Sequence, residues 1–137
     1  MSDVKPGQRP TLRAERAAVT RRRIAEAARA LFSRQGYGAT TLTTIAGEAG
    51  VAVQTVYATY GSKAGILHAL REDVLYQPEA GALFAAALDG QGPQQRVELF
   101  ARSIRWRWEF GHDVVAILDD AASNDPTLRI EVDQVDQ

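Results

Sequence analysis

The sequence predicts an all-α protein, on three observations. All five prolines, at positions 6, 10, 78, 93 and 126, lie outside Thr11 to Gln77, so that stretch can be helical wherever glycine does not interrupt it. Apolar residues recur at three- and four-residue spacing along most of the chain. No stretch shows the strict apolar–polar alternation of a half-buried strand.

Residues 1–19 are polar and basic, carry two prolines and read as a flexible basic arm, with Ala14 to Val19 able to extend the following helix backwards. From Thr20, a candidate N-cap, the residues Ile24, Ala27, Ala28, Leu31 and Phe32 line one face of a helix that Gly36 ends. Thr40-Thr41 offers a cap for a short helix with Leu42, Ile45, Ala46 and Ala49 inward, ending at Gly50. A second short helix runs from Ala52 or Val53 to Tyr60 with Val56 inward. Gly61-Ser62 breaks it, and Ser62 caps a fourth helix carrying Ile66, Leu67, Leu70 and Val74. Past Pro78 an alanine-rich helix reaches Leu88 and a turn spans Asp89 to Pro93. One helix is then expected from Gln94 to about Gly111 and another from Val114 to Ala122.

Composition narrows the function classes. A chain of 137 residues, 45% hydrophobic and 24% charged, suits one compact domain. The absence of cysteine excludes a disulfide framework, a thiolate zinc site and a cysteine nucleophile. No apolar run approaches the ~18 residues of a membrane helix, and the first residues lack the apolar centre of a signal peptide. A cytoplasmic protein without a membrane partner is expected. His68 and His112 are too few and too far apart for a metal motif, and Gly36-x-Gly38 lacks the third glycine of a dinucleotide loop, because Thr41 stands there. No base sits beside a serine in a local motif, so neither an enzyme nor a cofactor is expected. Charge is unevenly distributed. Up to Arg71 the chain holds eleven basic and four acidic residues, a balance of +7, and the remainder holds five against thirteen, or −8. The first part suits a polyanionic partner and the second does not.

The informative spacing lies in the two short helices. A helix-turn-helix needs a small residue where its helices cross, a turn residue that tolerates positive φ, and an apolar residue reaching back from the second helix; Ala46, Gly50 and Val56 meet those demands. The wider pattern resembles the TetR family of transcriptional regulators. It comprises Thr20 to Phe32, Gly36-Tyr37, T-T-L-T-T-I-A-G-E-A-G-V at 40–51, T-V-Y-A-T-Y at 55–60 and S-K-A-G-I-L at 62–67.

That resemblance implies an N-terminal three-helix helix-turn-helix DNA-binding domain over 20–61, with the helix at 53–60 reading the major groove, and a linker helix over 62–77. Residues 78–137 would then form a partial helical effector and dimerisation domain. It further implies a repressor of double-stranded DNA targets, released by a small-molecule effector and acting as a homodimer. The chain departs from the pattern in stopping short of the two long C-terminal helices that form the dimer interface in such proteins. The remaining apolar residues Val114, Val115, Ile117 and Leu118 are therefore expected to be exposed. Gly61 and Gly65 stand where proline and a charged residue are frequent, which predicts a looser joint between the third and fourth helices.

Residue chemistry agrees on where DNA would lie. Phosphate contacts call for hydroxyls, cations and helix starts, here Thr41, Thr43, Thr55, Tyr57, Tyr60 and Lys63. Base contacts call for the outer face of the recognition helix, here Val53, Gln54, Ala58 and Thr59, with Gln54 able to pair with adenine. Arg21, Arg22 and Arg23 add attraction without sequence preference, part of it expected to be taken up by pairing with Glu26. Trp106, Trp108, Phe110 and His112 are the candidate effector-binding cluster. The alternative from another class is a helical protein-interaction subunit, a truncated relative without specific DNA binding.

Overall fold

Thr11 turns the chain into its first helix. The computed structural model describes residues 11–128. The Thr11 hydroxyl accepts a hydrogen bond from the Ala14 amide, and α1 runs Leu12–Gln35. The helix therefore starts eight residues before Thr20, and the part of the expected arm from 12 to 19 is helical. The cause is local: Ala14, Ala17 and Ala18 are strong helix formers, and Thr11 supplies a cap that Thr20 does not. Residues 1–10 of that arm lie outside the described residues. Gly36, at φ 87°, ends α1 in a backbone conformation that costs glycine nothing.

Three short-range caps set the next elements. Thr41 accepts from the Thr44 amide and opens α2, Leu42–Ala49. Gly50, left-handed at φ 69° and ψ 37°, closes α2. Helix α3 spans Val53–Tyr60 with Ala52 at its N-cap making no side-chain cap bond. The Ser62 hydroxyl accepts from the Gly65 amide to start α4, Lys63–Leu75. Prolines in the first turn open α5, Pro78–Leu88, and α6, Pro93–Asn124. Among the described residues there are six helices and no strand.

Helix α6 is a single rod of 32 residues, not the two helices expected around Gly111. Gly111 is a contact residue, not a breaker: a Cβ built there would lie 2.5 Å from Val74 Cγ1. The missing side chain lets α6 approach α4 closely, and the helical backbone continues through it.

One core joins these elements. Ile24, Ala28, Leu31 and Phe32 of α1 pack with Ile45 and Ala46 of α2, Val56 of α3 and Ile66, Leu67 and Leu70 of α4. Val114, Ile117 and Ala121 of α6 belong to the same cluster. Burying each large side chain of this set contributes about 1.5–3 kcal/mol. Val114 and Ile117, expected to be exposed, are almost fully buried, and Leu118 packs partly against the core. Only Val115 of that group is substantially exposed. The reason is that the second half of α6 packs against α1 and α4 instead of standing apart.

An apolar band remains uncovered on the far side. Val97, Phe100, Ile104 and Trp108 of α6, with Phe84 and Leu88 of α5, are 40–70% exposed. The Phe84 and Phe100 rings meet at 6.1 Å. At 100° per residue, the four α6 positions and Val115 fall within about 80° of one another, so they form one stripe along the helix.

Candidate nucleic-acid interface

Val56 fixes which way α3 faces. It is fully buried, and the Val51 amide donates to the Ala46 carbonyl (3.0 Å), locking the α2–α3 turn around Gly50. With Val56 inward, Gln54, Tyr57 and Ala58 point to solvent, while Val53, Thr55, Thr59 and Tyr60 are half-buried. Of the candidate base readers, Gln54 and Ala58 lie open on the helix. Val53 packs partly against the core, and the Thr59 hydroxyl donates to the Thr55 carbonyl one turn back (2.7 Å).

The start of α2 presents hydroxyls. Thr41, Thr43 and Thr44 are all exposed, and the Thr41 and Thr44 hydroxyls lie 2.8 Å apart. Sequence reasoning missed Thr44. The available signal was its position three residues after the cap, where the capping hydroxyl engages it.

Two candidate phosphate contacts are engaged inside the protein. The Lys63 ammonium donates to the carbonyls of Tyr37 (2.8 Å) and Thr40 (3.1 Å) and sits 4.2 Å from the centre of the Tyr37 ring. It ties the α1–α2 loop to the start of α4. The Tyr60 hydroxyl donates to the Arg21 carbonyl (3.0 Å) beneath the Arg21 guanidinium, which lies 5.2 Å from the ring centre. Burial pushes the phenols of Tyr37 and Tyr60 above the ordinary tyrosine value.

The joint between α3 and α4 is tight. A Cβ at Gly65 would clash with the Tyr60 carbonyl oxygen. Glycine at this place permits a close backbone approach, which overturns the expected looseness. Nothing lies within 4 Å of a Cβ at Gly61, whose φ of 76° makes the turn itself.

Basic residues flank the turn. Among the described residues Arg21, Arg22 and Arg23 form no ion pair, so the expected pairing with Glu26 does not occur. Arg23 reaches the helix-turn-helix: its Nη2 lies 2.9 Å from where a Gly50 Cβ would stand.

A cavity of about 390 Å³ lies between α1, α4 and α6. Trp106, Phe110 and His112 line it with Arg29, Asp73 and Asp113, and the Trp106 and Phe110 rings meet at 4.6 Å. Trp108, the fourth member of the expected cluster, does not line it and is 70% exposed. The cause is helical: Trp108 is two residues from both Trp106 and Phe110, which puts it on a different side of α6. Among the described residues no group of side chains is arranged to hold a metal ion, and no helix is long and apolar enough to cross a membrane.

Residues 24–70 match the family model of bacterial regulatory proteins, tetR family. No curated protein matches the chain. The matched residues run from Ile24 in α1 to Leu70 in α4 and contain α2, the Gly50 turn and α3 complete. The helix-turn-helix of this chain therefore lies wholly within a segment that is similar to bacterial regulatory proteins of the tetR family.

Proposed function

We propose that the chain is a transcriptional repressor whose α3 enters the major groove, with Gln54 and Ala58 facing bases and Val53 and Thr59 at the edges of that face. The observation that carries this reading is the exposure of Gln54, Tyr57 and Ala58 on a helix anchored from behind by Val56. Thr41, Thr43, Thr44, Thr55 and Tyr57 meet phosphates and set register. Tyr60 and Lys63 hold the reading surface in shape. A protein that acts on DNA in this way works in the cytoplasm.

Release by a small-molecule effector is supported by the cavity between α1, α4 and α6, since its walls belong both to the DNA-binding part and to the rest of the chain. A homodimer is supported by the exposed stripe on α6. Val97, Ile104, Trp108 and Val115 are spaced symmetrically about a point between Arg105 and Arg107, so a second copy running antiparallel would set Val97 against Val115 and Ile104 against Trp108. Pairing supplies the second half-site that one short recognition helix lacks.

Selection of genomic DNA fragments on the purified chain near physiological salt tests this reading. An enriched two-fold-symmetric sequence is expected, and Gln54→Ala should change the preferred sequence while leaving salt dependence nearly unaltered. Retention of DNA without enrichment would overturn it in favour of a subunit that keeps the fold but reads no sequence.

A further inference from the structure

We propose that the N-terminal half of α1 is a second DNA-contacting element, in which Arg13, Arg16 and Arg23 grip phosphates flanking the site that α3 reads. This rests on the DNA-binding reading above and extends it to a surface outside the helix-turn-helix. From Leu12 to Val19 every residue of α1 is exposed, Thr20 is half-buried, and the first core residue is Ile24. About three turns of helix thus precede the core, and the two turns from Leu12 to Val19 project with little protein against them. Such a length of helix is marginal in water without a packing partner. Its charge names the partner: it carries Arg13, Arg16, Arg21, Arg22 and Arg23 against Glu15 alone, and none of the five arginines has an ion pair among the described residues.

The direction of the charge is also fixed. At 100° per residue Arg13, Arg16, Thr20 and Arg23 fall within about 80° of one another, in the arc that also holds the buried Ala27 and Leu31. The side of α1 that Ala27 and Leu31 bury is thus continued toward the N-terminus by arginines. Arg23 joins the two surfaces, since its guanidinium lies against the α2–α3 turn at Gly50. Arg13 stands ~15 Å further along the helix, about four base pairs of duplex. The stripe is therefore continuous with the helix-turn-helix surface and opposite in charge to a DNA backbone.

The test is fluorescence anisotropy of a labelled random-sequence 30-base-pair duplex, titrated with the full chain between about 50 and 200 mM salt. Arg13→Ala/Arg16→Ala keeps or raises helix propensity, so a loss of binding cannot come from melting α1. The double variant should lower the slope of log affinity against log salt by about 1.8, the loss of two phosphate contacts, while Gln54→Ala leaves it unchanged. Amides of residues 12–20 should also gain protection from hydrogen exchange when the parent chain binds the duplex. An unchanged slope in the double variant, with the parent binding normally, would overturn the proposal and leave the DNA-binding reading standing. A parent chain that does not bind the duplex would overturn both.

Discussion

The Arg29 guanidinium holds the Asp113 carboxylate in a two-pronged ion pair, with Nε and Nη2 each 2.6 Å from a carboxylate oxygen. The same Nη2 donates to the Phe110 carbonyl (2.7 Å). This pair bridges 84 residues of sequence and ties α1, against which α2 packs, to α6. One heptad further along α6, Asp120 accepts from the Tyr37 amide (2.9 Å) and holds the α1–α2 loop in the same way.

The pair sets an acid limit on this attachment. Hydrogen bonding to Arg29 holds the Asp113 carboxyl below its ordinary value of 3.8. A carboxyl depressed on folding stabilises the protein above its unfolded pKa, and that contribution is lost as pH falls through the lower folded value. Asp113→Asn should therefore lower stability by up to about 1 kcal/mol at pH 7, given that both side chains are about one-third exposed. Thermal melts should show the gap between variant and parent closing below about pH 4. A gap that stays constant down to pH 2 would show that Asp113 contributes by shape alone.

Glycines 47 and 65 should respond to alanine with opposite signs. Nothing lies within 4 Å of a Cβ at Gly47, an exposed helical position, so Gly47→Ala should stabilise by about 0.5–1 kcal/mol. Gly65→Ala drives a methyl group into the Tyr60 carbonyl oxygen and should destabilise by about 1–3 kcal/mol despite its better helix propensity. Urea midpoints of the two variants decide the matter.

Lys63→Ala removes both hydrogen bonds that hold the α1–α2 loop carbonyls. Stability should fall by about 1–3 kcal/mol, as expected for charge-assisted bonds to partly buried acceptors. Any effect on DNA affinity should be largely regained at low temperature, where the variant is folded. If the variant melts like the parent but binds DNA uniformly more weakly, the ammonium is a phosphate contact instead.

Trp108→Asp places a charge in the middle of the exposed α6 stripe. Sedimentation equilibrium should give the mass of two chains for the parent and of one for the variant at the same concentration. With Trp108 already 70% exposed, the substitution should leave thermal stability of the separate chain nearly unchanged.

The sequence disclosed whatever depends on neighbours in the chain. Thr41 and Gly50 announce the limits of α2, and Ser62 the start of α4, because a cap or a left-handed residue acts within three or four positions. The same local logic misread Gly111, whose role is set by Val74, 37 residues away. It also left Lys63 as a free cation, because the Tyr37 and Thr40 carbonyls that bind it lie 26 and 23 residues back. Burial of Val56 was legible and orients the whole of α3. Engagement of the Tyr60 hydroxyl by Arg21 was not, since it depends on how α3 crosses α1.

The shared core has a consequence for modularity. Because Val114, Ile117 and Ala121 complete the hydrophobic cluster begun by Ile24 and Phe32, the helix-turn-helix part of this chain is not a cassette that can be lifted out at the end of α4. A graft of residues 11–77 onto another regulator would carry an open apolar seam along α1 and α4. The transferable unit is discontinuous, joining the first four helices to the last three turns of α6.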